Sequence, residues 1–169
     1  MEEGKICQGD KYTYKKRTIC LPVTLKGLPD QLETEGHTLL RKSTFHISLV
    51  CIGRLIDKHG IEVSDFEEKV LNDFCDFVKE NEVSFGGYGE FRFVTNNDRR
   101  TVIVMSKVSN LDKFFQLLNS KYNLNLETPP AHVTLYTLQP ELGIFLVDGE
   151  DLDSLSKTVE VPEGIQKVF

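Results

Sequence analysis

Apolar positions alternate with a period of two along several stretches of the chain and recur near a helical period along two others, and this contrast organises the sequence. "RTICLPVTL" (17–25) and "STFHISLV" (43–50) predict strands, the first with a proline suited to an edge or a bulge. Between them, "KGLPDQLETEGHTLL" places leucines at 28, 32, 39 and 40 and predicts a short helix interrupted at Gly36. "SDFEEKVLNDFCDFVKE" (64–80) is the clearest helix: Phe66, Val70, Leu71, Phe74, Phe77 and Val78 share one face, and Ser64 with Glu67 has capping-box spacing. "EVSFGGYGEFRFV", "TNNDRR" and "TVIVMSKV" read as a glycine-broken strand, a turn and a strong strand. A helix starting at Ser109 and running through "NLDKFFQLLNSKY" leads to a strand in "PPAHVTLY" (129–136). The tail segments "GIFLV", "EDLDSLSKT" and "VEVPEG" read as strand, short helix and strand.

The order strand, helix, strand-with-histidine therefore occurs twice, ending at His46 and at His132. A duplication of that kind predicts an α+β fold in two similar halves, related by a pseudo-twofold axis and facing one another across a central cleft. A chain of 169 residues suits one domain spanning 1–169, with 1–16 as a segment of unassigned order. With 40% hydrophobic and 27% charged residues the composition is that of a soluble globular protein. The net charge of −6 argues against a long nucleic-acid duplex as partner, while leaving room for a short nucleotide in a local basic pocket. No leader-type segment and no long apolar run is found, so no membrane partner and a cytoplasmic monomer are expected. Cys7, Cys20, Cys51 and Cys75 show no C-x-x-C spacing and are expected to be reduced core residues.

Strand alternation gives the two histidines their chemistry. His46 and Ser48 share one face while Ile47 and Leu49 take the other; His132 and Thr134 share a face opposite Val133 and Leu135. One His-x-Ser/Thr in a strand is an ordinary structural pattern. Two in matching contexts supply what in-line phosphodiester chemistry needs: imidazoles able to take and give a proton near neutral pH, and hydroxyls able to donate to phosphoryl oxygens. No metal-ligand spacing such as H-E-x-x-H occurs, and no cofactor or metal is expected.

Several other residues are candidates for holding substrate. Tyr136 shares the face of His132 by alternation, and Tyr12 and Tyr14 in the basic stretch "KYTYKKR" have rings able to stack on a base. Arg41 and Lys42 precede the His46 strand, and Arg99 and Arg100 sit in the predicted turn, where a solvated loop is the plainer reading. His37 and His59 have no partnered spacing and are read as surface residues; "GGYG" lacks the spacing and the lysine of a phosphate loop.

In "RTICLPVTL", "HISLVCIG", "VSFGGYGEF" before "RRTVIVMSKV", and "PPAHVTLYTL", in that order, the chain resembles the 2H phosphoesterase superfamily, which includes 2′-5′ RNA ligase-like proteins and RNA 2′,3′-cyclic phosphodiesterases. The resemblance spans roughly residues 17–138 and is specific in its paired histidine motifs; Ser48 stands where threonine is commoner. It implies a bilobal α+β fold whose histidine strands line a cleft. It also implies metal-independent hydrolysis of 2′,3′-cyclic phosphate or 2′-5′ linkages in an RNA end or a small or cyclic nucleotide. His46, Ser48, His132 and Thr134 carry over as catalytic residues, with His132 assigned as base and His46 as acid. Cleavage of a cyclic or 2′-5′ signalling oligonucleotide, and nucleotide binding without chemistry, are the competing expectations.

Overall fold

The computed structural model describes residues 3–169, and the alternating segments form strands as expected, in greater number. In chain order the elements are β1 (Gly4–Lys5), β2 (Thr13–Lys15), β3 (Thr18–Val23), β4 (Gln31–Thr34), β5 (His37–Arg41), β6 (Phe45–Cys51), α1 (Ile52–His59) and α2 (Phe66–Phe77). They continue as β7 (Phe85–Asn96), β8 (Arg99–Val108), α3 (Leu111–Tyr122), β9 (His132–Thr137), α4 (Gly149–Leu155), β10 (Ser156–Thr158) and α5 (Glu163–Gln166). All strands join one antiparallel sheet in the order β1-β2-β3-β6-β9-β8-β7-β10, with the β4–β5 hairpin attached to β9 through β5. The fold is α+β, a large antiparallel sheet with five helices among the described residues.

One face of the sheet is dry. Val102, Val104, Val133 and Leu135 are fully buried, and α2 and α3 bring Phe74, Phe114 and Leu118 to the same core. The rings interlock edge to face: Tyr12 on Phe74 at 5.0 Å and Phe74 on Phe114 at 5.2 Å between centroids. On the opposite face the chain after β9 folds back, and Ile144 and Leu146 cover Val94 and Ile103 in a second, smaller apolar cluster. Between that cover and the β2–β3 hairpin the sheet is left open, and there the chemistry-bearing side chains lie.

Four expectations are corrected. Residues 26–40 contain the β4–β5 hairpin rather than a helix: Glu35 and Gly36 both take positive φ, giving a two-residue turn between the paired Thr34 and His37, and Leu32 and Leu39 pair across it as buried residues. The Ser64–Glu67 capping box does not form. The residue at the N-cap of α2 is Asp65, in the left-handed region and without a side-chain cap bond, and the Glu67 carboxylate instead accepts from Arg17 Nε at 3.3 Å. "GIFLV" is irregular cover rather than strand, and in "VEVPEG" the last turn is helical. Cys7 and Cys75 form a disulfide across 68 residues, so only Cys20 and Cys51 are the buried free thiols expected of all four. Such bonds persist in oxidising surroundings, and their long-range partners leave no local spacing signal. Among the described residues no helix is long and apolar enough to cross a membrane.

Candidate active site

The two histidine strands are neighbours. β6 and β9 pair antiparallel with Ile47 opposite Val133, so one step to either side His46 faces Thr134 and Ser48 faces His132. Each histidine thus lies across from the other motif's hydroxyl, and the four polar side chains share the open face while Ile47 and Val133 go into the core. The expected cleft between facing lobes is instead a groove over one continuous sheet, with β6 and β9 as its floor.

The walls come from elements whose sequences gave little sign of it. On one side β3 sets Cys20 beside Ser48 and Pro22 beside His46, and β2 adds Thr13 and Lys15. On the other side the start of β8 contributes Arg99, and the segment from Glu141 to Phe145 forms the rim. The cleft encloses about 750 Å³, within the size range of small-molecule sites. Lys15, Lys16, Lys42 and Arg99 line it against one carboxylate, Glu141. The Glu141 carboxylate accepts from the Ser43 backbone N–H at 2.9 Å, and Arg99 donates to the Gly143 carbonyl at 2.9 Å, tying the rim to the sheet.

His132 is buried, and its Nδ1 lies 2.8 Å from the Pro130 carbonyl oxygen. A carbonyl only accepts, so Nδ1 carries the hydrogen and the Nε2 lone pair of the neutral ring is left for the cleft. Burial holds its pKa below the ordinary histidine range. Burial also pushes the His46 pKa down to about 4, helped by the Lys42 ammonium, by the neighbouring His132 ring, which resists a second charge beside it, and by Lys15. Both rings are therefore neutral in the free cleft at pH 7. The Lys42 ammonium is likewise destabilised by burial and by Lys16 and Lys15, with Glu141 opposing. Burial pushes the Cys20 thiol up to about 12, which removes it as a nucleophile at neutral pH.

Two pH effects follow from these directions. The folded His46 pKa lies below its unfolded value near 6.5, so its contribution to stability is present above about pH 6.5 and is lost as pH falls toward about 4. An anion in the cleft reverses the penalty on charging the rings, so sulfate binding is expected to take up protons and to tighten from pH 8 to pH 5. Isothermal titration in buffers of different ionisation enthalpy measures the uptake; an affinity flat over that range would mean that no imidazole faces the anion.

The remaining predicted residues lie elsewhere. Tyr136 is fully buried and donates its hydroxyl to the Pro29 carbonyl at 2.7 Å, and the β8–β9 register shifts between the Ile103–Thr134 and Val102–Tyr136 pairs, which interrupts the alternation. Tyr12 is 4% exposed, donates to the Val83 carbonyl and packs on Phe74; Tyr14 is 2% exposed. None of these tyrosines lines the cleft, so the expectation that they cover a base is not met. Arg41 donates to the Leu28 carbonyl at 2.6 Å and pairs with Asp30 at 3.0 Å, bracing that loop rather than the cleft. The aromatic rings that do line the cleft are Phe45 and Phe145. Alternation along the strand places Phe45 on the core face opposite His46, so its position at the cleft corrects that expectation, and Phe145, Glu141, Lys15 and Lys16 have no sequence pattern that singles them out. Among the described residues no three His, Cys, Asp or Glu side chains gather in a metal-ligating group. No family model matches the chain, and no curated protein and no solved structure does.

Proposed function

We propose that the protein is a phosphodiesterase that hydrolyses 2′,3′-cyclic phosphate or 2′-5′ linkages in RNA or a small nucleotide, using its two His-x-Ser/Thr motifs and no metal. The observation that carries this reading is the Ile47–Val133 pair, which sets the two motifs head to tail on adjacent strands with all four polar side chains on one open face. On this reading β3–β6 and β8–β9 are the two halves of a 2H-type fold, meeting at that pair.

The steps follow from the protonation states. A phosphoryl group over the β6–β9 junction lies within reach of both motifs. His132 Nε2, with its lone pair free, takes a proton from water as the oxygen attacks phosphorus. The P–O bond to the leaving ribose oxygen breaks, and His46 gives that oxygen a proton. His46 acquires this proton when the anion binds, since the bound negative charge raises the pKa that burial had lowered. Ser48 and Thr134 donate to the non-bridging oxygens as charge builds there.

The test is a panel of nucleoside 2′,3′-cyclic phosphates, 2′-5′ and 3′-5′ dinucleotides and cyclic dinucleotides, incubated in EDTA with products separated by chromatography. Cleavage of at least one 2′,3′-cyclic or 2′-5′ member is expected, and the position of the product phosphate names the bond broken. Folded protein that binds members of the panel and cleaves none would replace this reading with that of a nucleotide-binding module.

A further inference from the structure

The cleft holds more positive charge than one phosphodiester neutralises. Lys15, Lys16 and Lys42 lie close enough to one another that Lys15 and Lys16 lower the proton affinity of Lys42, and Lys42 and Lys15 lower that of His46. Six lysines elsewhere pair with carboxylates: Lys5, Lys11, Lys58, Lys79, Lys121 and Lys157. Exposed lysines such as Lys26 and Lys113 go unpaired in water, where the charge is solvated. Lys42 differs, being partly buried beside two further ammonium groups, and none of the three makes an ion pair among the described residues. Like charges gathered in a concave site of a protein of net charge −6 are a site for an anion.

The backbone holds this cluster in place at a conformational cost. Lys16 and Arg17 are the two central residues of the β2–β3 turn, with φ of 51° and 58°, a conformation for which asparagine and glycine are the usual residues. The turn is fastened from behind. The Arg17 carbonyl accepts from the Ile52 N–H at 2.9 Å, Arg17 Nε donates to Glu67 at 3.3 Å, and the Arg17 side chain lies against Gly53, where an added Cβ would meet it at 3.3 Å. Side chains bulkier than the turn favours, held over a cleft, are a pattern of strain kept at a functional position.

We propose that Lys15, Lys16 and Lys42 form a second phosphate subsite beside the histidine pair, so that the substrate is an oligonucleotide, linear or cyclic, carrying at least one phosphate besides the one cleaved. The inference rests on the phosphodiesterase reading for the cleaved phosphate and on the lysine geometry for the second. By strand register the β2–β3 turn lies beyond the Cys51 end of β6 and Lys42 before its Phe45 end, so the lysines reach into the cleft from both sides of the β6–β9 junction and leave the scissile group at that junction to the histidines. A ribonucleoside monophosphate cyclised on itself leaves the subsite empty.

The test compares binding of adenosine 3′-phosphate and adenosine 3′,5′-bisphosphate, by titration calorimetry, to the wild type and to the Lys15→Ala/Lys16→Asn variant. Asparagine suits the left-handed turn position, so the variant is expected to fold with unchanged or raised thermal stability. The wild type is expected to bind the bisphosphate about tenfold or more tighter than the monophosphate, with the ratio falling to about threefold or less in the variant and staying unchanged in Lys113→Ala. A wild-type ratio near one, or a ratio that survives in the variant, overturns the subsite. Turnover of linear and cyclic adenine dinucleotides by the wild type then separates the two substrate forms. Absence of all turnover with the binding ratio intact would leave the second anion subsite standing and remove the phosphodiesterase reading instead.

Discussion

His132→Ala is expected to lower the rate of cleavage of the preferred substrate by roughly 10²–10⁴, or about 3–5 kcal/mol of barrier, while the protein remains folded. The size follows from what the ring does. Its Nδ1–H is committed to the Pro130 carbonyl, so Nε2 is a base in the correct tautomer before substrate arrives, and alanine leaves water to find another proton acceptor. The Pro130 carbonyl is left without its donor, a cost to stability of about 1–3 kcal/mol that circular dichroism and thermal unfolding measure separately from rate. His46→Ala is expected to cost a similar factor in rate by removing the proton donor. The two variants are distinguished by leaving group: a substrate whose leaving oxygen departs without protonation, such as a p-nitrophenyl ester, should recover rate with His46→Ala and not with His132→Ala. Equal recovery in both would remove the assignment of base and acid, and full activity in His132→Ala on every cyclic phosphate would remove the two-histidine mechanism.

Breaking the Cys7–Cys75 disulfide is expected to destabilise the fold by about 4 kcal/mol, because the bond closes a loop of 68 residues and thereby removes conformational freedom from the unfolded chain. Cys7 belongs to the segment between β1 and β2, and Cys75 lies on α2 next to Phe74, so the bond ties the outermost strands to the helix that seals the dry face. β2 also carries Thr13 and Lys15 to the cleft wall, which connects the bond to the site through one strand. Urea unfolding of oxidised wild type, Cys7→Ser and Cys75→Ser measures the loss. The two single variants should agree, since each removes the same bond, whereas a loss under about 1 kcal/mol would mean that the remaining contacts already confine the N-terminal segment.

Legibility in the sequence tracked the range over which a signal acts. The faces of α2 and α3 were legible because apolar residues at helical spacing, Phe66, Val70, Leu71 and Phe74 on one and Leu111, Phe114, Phe115 and Leu118 on the other, are also the ones buried. The shared face of His46 with Ser48 and of His132 with Thr134 was legible for the same reason with a period of two. The adjacency of those strands was not, since pairing partners are set by topology and no local pattern encodes it. The β4–β5 hairpin was misread as a helix because its turn uses Glu35 and Gly36, a pair whose positive φ values the leucine spacing concealed. α1 escaped notice because it follows β6 directly, with Cys51 at its N-cap and no side-chain cap to mark the start of a helix. Tyr136 shows where alternation stops being a guide: it has the parity of His132, yet the register against β8 shifts between Thr134 and Tyr136 and the ring is enclosed, its hydroxyl on the Pro29 carbonyl. Lys42 was legible as preceding the His46 strand, whereas Lys15 and Lys16 were present as an undifferentiated basic stretch, and only the turn at Lys16 and Arg17 gives them a direction.

The central claim is that two imidazoles on adjacent strands act together on one phosphoryl group. Its most direct measurement is turnover in EDTA of a linear 2′-5′ dinucleotide and of a nucleoside 2′,3′-cyclic phosphate by the wild type and by the His46→Ala/His132→Ala variant, side by side and with folding checked. Cleavage by the wild type with none above background in the double variant is the predicted result. Cleavage that persists in the double variant would contradict the claim.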